Sequence, residues 1–175
     1  MKNIYKENDE VLYTRESIFK LTAQDLVDLK EMARLNSRQR IRICSHTNIN
    51  DKTHEMIIYH PKGTYVRPHK HIGKCESFHL ISGEIECVIF NNQGNILRSF
   101  SMGDFSSGKA FYYRIPEDTF HTQIFKKDTF FHEVTEGPFN REDTLIANWA
   151  PQEKEKSKVK EYLSTISKNL ESFNS

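Results

Sequence analysis

From Arg38 onward the chain is a series of short runs rich in Ile, Val, Phe, Tyr and Thr. Each is cut off by a turn-forming cluster: Asp51-Lys52, Pro61-Lys62-Gly63, Asn91-Asn92-Gln93-Gly94 and Glu136-Gly137-Pro138. β-Branched and aromatic side chains fit the pleated surface of a strand, and Gly, Pro and Asn supply the backbone conformations that end one. Turn signals recurring at such intervals predict consecutive antiparallel strands, hence a sandwich or barrel. The clearest hairpin runs from Glu84 to Phe90, turns over Asn91 to Gly94, and returns from Asn95 to Phe100.

Helices are expected only at the flanks. Thr22 to Arg34 carries Leu26, Leu29 and Ala33 at helical spacing, and Thr22 followed three residues later by Asp25 has the form of a capping box. Glu153 to Phe173 is strongly charged, with Val159, Tyr162, Leu163, Ile166, Leu170 and Phe173 along one face. That face must be buried, either against the barrel or against a second subunit in a homodimer. At 175 residues, with no repeat and no linker, one core is expected. The chain divides into an N-terminal extension and helix over 1–37, a barrel over 38–151 and a C-terminal helix over 152–175, within one structural domain.

The formal net charge is +1 and its signs are mixed along the chain, so no basic stripe marks a nucleic acid or membrane partner. No apolar run approaches the roughly 18 residues of a membrane span, and a small-molecule ligand in the cytoplasm is the expectation. Cys44, Cys75 and Cys87 are odd in number and form no C-x-x-C pair, so they read as free thiols.

The chemistry concentrates between Gly63 and Gly83, in "GTYVRPHKHIGKCESFHLISG". Residues two apart on a strand share a face, so His69 and His71 present both imidazoles to one side. Glu76 follows a short turn, where a returning strand brings its carboxylate to the same point. His121 follows a Pro-led turn at Pro116 and enters a later strand. Three imidazoles and one carboxylate suit one divalent ion of iron, manganese, zinc, nickel or copper, with water completing the shell. His46, His54, His60, His79 and His132 read as surface or hydrogen-bonded imidazoles.

The run from Gly63 to Gly83 resembles the first cupin motif at every fixed position: a glycine, five residues, H-x-H, four residues, a glutamate, six residues and a glycine. Pro116-x-Asp118-x-x-His121 resembles the second, with departures. Asp118 stands where a glycine is usual, Phe125 stands where an asparagine is usual, and no glycine precedes Pro116 by six. A narrower resemblance covers Arg40 to Pro151. Arg40-x-Arg42, Tyr65 to His71, Glu76-Ser77-Phe78, His121-Thr122, Glu133-Val134, Gly137-Pro138-Phe139 and Trp149-Ala150-Pro151 are together similar to the WbuC family of cupin metalloproteins. The resemblance implies an all-β jelly-roll barrel and a sugar or nucleotide-sugar ligand in bacterial O-antigen, lipopolysaccharide or other surface-polysaccharide biosynthesis.

Arg38, Arg40 and Arg42 alternate with Gln39, Ile41 and Ile43, so a strand here sends all three guanidinium groups to one face. For Arg38 a solvated outer face is expected. For Arg40 and Arg42 an inward row able to bind an anionic ligand stands beside that reading. Tyr65 and Arg67 share parity with His69 and complete the candidate substrate residues. Phe78 and Leu80 share parity with Glu76 and should fill the barrel, and Trp149 should pack between barrel and closing segment. Tyr65 and Glu133 are the candidates for moving a proton. Three functions suit such a site: a metal-assisted sugar isomerase or epimerase, an iron-dependent dioxygenase, and a non-catalytic metal-dependent sugar-binding module.

Overall fold

The computed structural model describes residues 1 and 3–173, apart from the side chains of 171–173. The first half holds β1 (Ile4–Lys6), β2 (Val11–Thr14), α1 (Ala23–Arg34), β3 (Ile41–Cys44), β4 (Thr53–His60), β5 (His69–His71), β6 (Glu76–Ser82) and β7 (Glu84–Phe90). The second holds β8 (Ile96–Gly103), β9 (Tyr112–Ile115), β10 (Phe120–Phe125), β11 (Thr129–Glu136), β12 (Thr144–Ile146) and α2 (Lys156–Phe173). They form a seven-stranded sheet in the order β1-β2-β3-β4-β11-β6-β9 and a five-stranded sheet in the order β12-β5-β10-β7-β8. Every pairing is antiparallel except β2 with β3.

The exception involves two strands that the sequence pattern does not announce. β1 and β2 are three and four residues long, too short to show an alternation. A parallel neighbour needs a crossover, and α1 provides it between β2 and β3. The helix begins as its sequence indicates. The Thr22 side chain accepts from Asp25 N while the Asp25 carboxylate accepts from Thr22 N, a complete capping box. Leu29 and Ala33 then pack on Leu12, Ile41, Ile43 and Tyr59. β3 starts at Ile41 rather than Arg38, because Gln39 takes a φ of 52° that no strand continues.

Between the sheets, alternate residues of each strand form the core. Phe78 is fully buried, stacked on Phe131 at 4.1 Å and on Tyr113 at 5.1 Å. Gly83 sits at φ 106°, and a Cβ there would lie 2.5 Å from the Asp128 carbonyl oxygen, so only glycine lets β6 turn directly into β7. α2 lays Val159, Ile166 and Leu170 down as buried residues; the latter two join Val88, Phe90, Phe120, Ala147 and Ala150 in one cluster. The apolar face that also suited a second subunit is thus covered by the chain's own barrel; the side chain of Phe173 lies outside the described residues. Among the described residues no helix is long and apolar enough to cross a membrane.

The architecture is the all-β cupin barrel with a helix at each flank. Phe78 is fully buried in the core cluster that joins it to Ile85, Cys87, Met102 and Phe125 of the other sheet, so Phe78→Ala should cost about 3–5 kcal/mol. Urea unfolding measures this; a loss below about 1 kcal/mol would show that the core does not depend on this ring.

Candidate metal centre

β5 is only three residues long, His69-Lys70-His71, and is fixed from both sides. His69 is the register partner of His121 on β10 and of Ile146 on β12, and His71 is the partner of Thr144. The turn before β10 is tied to the same strand, since Asp118 N donates to the His71 carbonyl at 2.9 Å. Asp118 adopts φ 58°, the left-handed conformation that the missing glycine would have supplied. Asp is among the few side chains that tolerate it. Glu76 arrives from the other sheet, at the start of β6.

One ligand atom from each of His69, His71, Glu76 and His121 lies within 4.8 Å of the others. Their orientations are set from behind. His69 Nδ1 donates to the Arg67 carbonyl at 3.0 Å, and His121 Nδ1 donates to the Thr119 carbonyl at 2.9 Å. A carbonyl can only accept, so both rings carry their proton on Nδ1 and turn a bare Nε2 inward. His71 Nδ1 lies 3.3 Å from the Thr144 hydroxyl. Glu76 accepts from the Tyr113 hydroxyl at 3.2 Å, and Tyr113 accepts from Gln123 at 2.7 Å.

The front of the cluster is electrostatically incomplete. His121 Nε2 is buried without a hydrogen-bond partner, 3.6 Å from a Glu76 oxygen. His71 Nε2 stands 3.1 Å from the other oxygen. Burial opposes charge on Glu76, yet the facing His121 and His71 outweigh it and lower its pKa. Burial likewise opposes charge on His121, and Glu76 outweighs it and raises that pKa. His69, pushed down to about 3 by burial and by His121, stays neutral as a ligand must. A buried carboxylate facing two bare imidazole nitrogens, with His71 Nε2 donating to it, is completed by a cation that takes the place of that proton, and the donor set fits a divalent transition ion.

The cluster opens into a cavity of about 1080 Å³. The register of the larger sheet orders its wall. Glu76, Thr135 and His54 share one cross-strand row, Phe78, Glu133 and Met56 the next, and Phe131, Ile58 and Arg42 the third. Glu133 is half-buried and lacks an ion-pair partner among the described residues; burial and the nearby Glu76 raise its pKa against the pull of Arg42. Arg38, Arg40, Arg42, Tyr65 and Arg67 all line the cavity. The arginines differ in what they hold. Arg40 pairs with Glu10 at 3.0 Å, and Arg38 bridges Glu10 at 3.2 Å and Glu153 at 2.6 Å. Glu10, rather than Glu133, answers the Arg40 charge. Tyr65 donates to the Pro151 carbonyl at 2.9 Å and Arg67 Nε to the Ala150 carbonyl at 3.0 Å.

Sequence reasoning missed the residues that hold the ligands. Thr144 and Tyr113 reach the cluster from strands remote in sequence, and Gln123, which supports Tyr113 from two residues after His121 on β10, alone carried a parity signal. It also misjudged two histidines. His54 and His60 are neither on the surface nor hydrogen-bonded: each has a buried ring nitrogen without a partner. Among the other three, His46 Nδ1 accepts from Glu55 N at 3.1 Å, His79 is exposed and His132 half-buried.

A family model described as a domain of unknown function, DUF6016, matches residues 21–102. No curated protein matches the chain. Among solved structures, protein SO0799 from Shewanella oneidensis is similar over 73% of this chain and 85% of its own, at 12% identity and a TM-score of 0.52, which shows a shared fold. Oxalate decarboxylase from Bacillus subtilis aligns at 19% identity and a TM-score of 0.45, over 56% of this chain and 24% of its own. The capsular polysaccharide assembling protein CapF from Staphylococcus aureus aligns at 16% identity and a TM-score of 0.45, over 55% and 27%. This chain spans about a quarter of each of those two.

His60 gives the pocket a pH signature. Its ring lies 4.7 Å from that of Phe125 and 5.4 Å from that of Phe131, and burial, aided by Arg42 and Arg38, pushes its pKa down to about 3. The unfolded imidazole titrates near 6.5, so above that pH His60 has no linkage effect. Below it the unfolded chain takes up a proton that the folded one refuses, and stability falls between about pH 6.5 and 3 by up to roughly 1.4 kcal/mol per pH unit. His60→Phe should flatten the acid limb of a stability-pH profile by that slope. An unchanged slope would mean that the ring is protonated in the folded protein.

Proposed function

We propose that the chain is a metal-dependent cupin of the WbuC kind, acting in the cytoplasm on a sugar or nucleotide-sugar of O-antigen or related surface-polysaccharide biosynthesis. The observation that carries the reading is the junction of two features: four inward donor atoms within 4.8 Å, and a large cavity beside them lined by guanidinium groups. His69, His71, Glu76 and His121 would hold the ion. When bound, it supplies a Lewis acid that stabilises negative charge developing on a substrate oxygen.

The remaining chemistry belongs to the side chains. Glu133 has a carboxyl without an ion-pair partner among the described residues, lies in the next row from Glu76 and lines the cavity, where it suits a group that takes and returns a proton. Tyr65 commits its hydroxyl to the Pro151 carbonyl and so suits tethering better than proton transfer. An isomerisation or epimerisation, in which one proton leaves carbon and another returns, uses this arrangement fully. Four arginines on the cavity wall favour a polar, charged ligand over the hydrophobic substrates that suit a dioxygenase. A binding-only module would leave Glu133 without a task. The free thiols Cys44, Cys75 and Cys87 agree with a reducing compartment.

Anaerobic purification with elemental analysis should find about one transition ion per chain. His69→Ala and Glu76→Ala should lose most of it while the barrel stays folded; full occupancy in both would remove the assignment. Thr144→Val, which deletes only the hydroxyl against His71, should weaken metal binding by about 10–100-fold. Glu133→Gln should keep the metal but slow exchange of substrate protons with deuterated solvent by about 10²–10⁴-fold. Wild-type exchange in that variant, against a nucleotide-sugar that the native protein turns over, would reassign the base.

A further inference from the structure

The ion pairs of the cavity sort its cations into two groups. Arg38 and Arg40 are engaged by Glu10 and Glu153, and Lys74 pairs with Asp143 at 2.7 Å. Arg42 and Arg67 are different: among the described residues neither has a carboxylate partner within ion-pair distance. Among the described residues the Arg42 side chain makes one weak polar contact, 3.8 Å to Met56 Sδ. Arg67 spends its Nε on the Ala150 carbonyl, and that carbonyl cannot neutralise the charge.

Their positions relate them to the metal cluster. Arg42 lies in the third row of the large sheet, on the far side of the Glu133 row from Glu76. Arg67 stands two residues before His69, on the segment that enters β5, and its own carbonyl orients that ligand. Arg42, Arg67 and Glu133 line the same cavity as the cluster, so a molecule placing one oxygen at the cluster and extending along the cavity has both guanidinium groups on its walls. Each offers forked N–H donors that match the oxygens of a phosphoryl group. A sugar carboxylate brings one negative charge and leaves one of the two arginines unanswered, whereas a phosphate monoester or diphosphate brings about two.

Resting on the reading that a sugar oxygen meets the cluster, we infer that Arg42 and Arg67 form a phosphate clamp. The ligand is then a phosphorylated sugar, either a sugar phosphate or the phosphate-bearing part of a nucleotide-sugar, rather than a neutral sugar or a simple sugar acid. Arg40, although it lines the same cavity, serves the fold through Glu10.

The test is calorimetric binding of glucose 1-phosphate, glucuronate and glucose to the metal-loaded full chain. The native protein should bind glucose 1-phosphate at least tenfold more tightly than glucuronate, and glucose more weakly still. Arg42→Gln and Arg67→Gln should each lower the glucose 1-phosphate affinity by about 10–100-fold with metal content and circular dichroism unchanged, and Arg40→Gln should lower it by less than about threefold. Equal affinities for phosphate and carboxylate, unchanged binding in Arg42→Gln and Arg67→Gln, or no binding of glucose 1-phosphate at millimolar concentration would overturn the clamp. Affinity that falls in both arginine variants but not in His69→Ala would uphold the clamp and remove the sugar from the cluster.

Discussion

β5 depends on neighbours for everything a strand needs. With three residues it makes too few hydrogen bonds to persist alone, yet it carries two of the four donors. Its place comes from pairing β10 on one side and β12 on the other, with Asp118 N closing the end of the strand on the His71 carbonyl. One register, His69 opposite His121, brings imidazoles that are 52 residues apart in the chain into the same plane of the barrel. A slip of one residue would turn both His69 and His71 outward. The C-terminal segment locks that register: Ala147 N donates to Pro68 O at 2.9 Å, and Arg67 and Tyr65 donate to the Ala150 and Pro151 carbonyls. α2 then covers the outside of this seam.

The second organising force is the cost of burying charge. Glu76 is 2% exposed, and its carboxylate is tolerable there because Tyr113 and His71 hydrogen-bond to it and His121 faces it. Toward the other end of the cavity the same rule separates the arginines. Those whose charge is answered by Glu10 or Glu153 act as ties between the N-terminal segment, β3 and the stretch leading to α2. Those left without carboxylates are the groups available to a ligand. Counting arginines in a pocket therefore overstates its capacity for anions; tracing their partners gives the usable number.

Much of the site was legible before the structure because its information is local. The H-x-H pair needs only strand parity, Gly83 needs only a turn that a Cβ would block, and the Thr22–Asp25 box lies within one helical turn. Asp118 shows how a departure from a motif is absorbed: the required left-handed backbone survives in a residue type that tolerates it. The parts that stayed hidden rest on contacts distant in sequence. Glu10 reaches Arg40 across 30 residues, Thr144 reaches His71 across 73, and Tyr113 reaches Glu76 across 37. β1 and β2 exist as strands because α1 carries the chain across to a parallel partner, and their few residues contain no period that reveals it. His54 and His60 looked ordinary because nothing in their neighbours' identities states that a ring nitrogen will be buried unpaired.

The central claim is that Glu76 and three imidazoles, each held from behind, form one metal shell. X-ray absorption at the edge of the bound metal in the full-length protein tests it most directly. The account predicts imidazole nitrogen and one carboxylate oxygen scatterers at about 2.0–2.2 Å, with the outer-shell pattern of three histidine rings. A sulfur scatterer near 2.3 Å, or a shell of oxygen alone without imidazole signals, would contradict it.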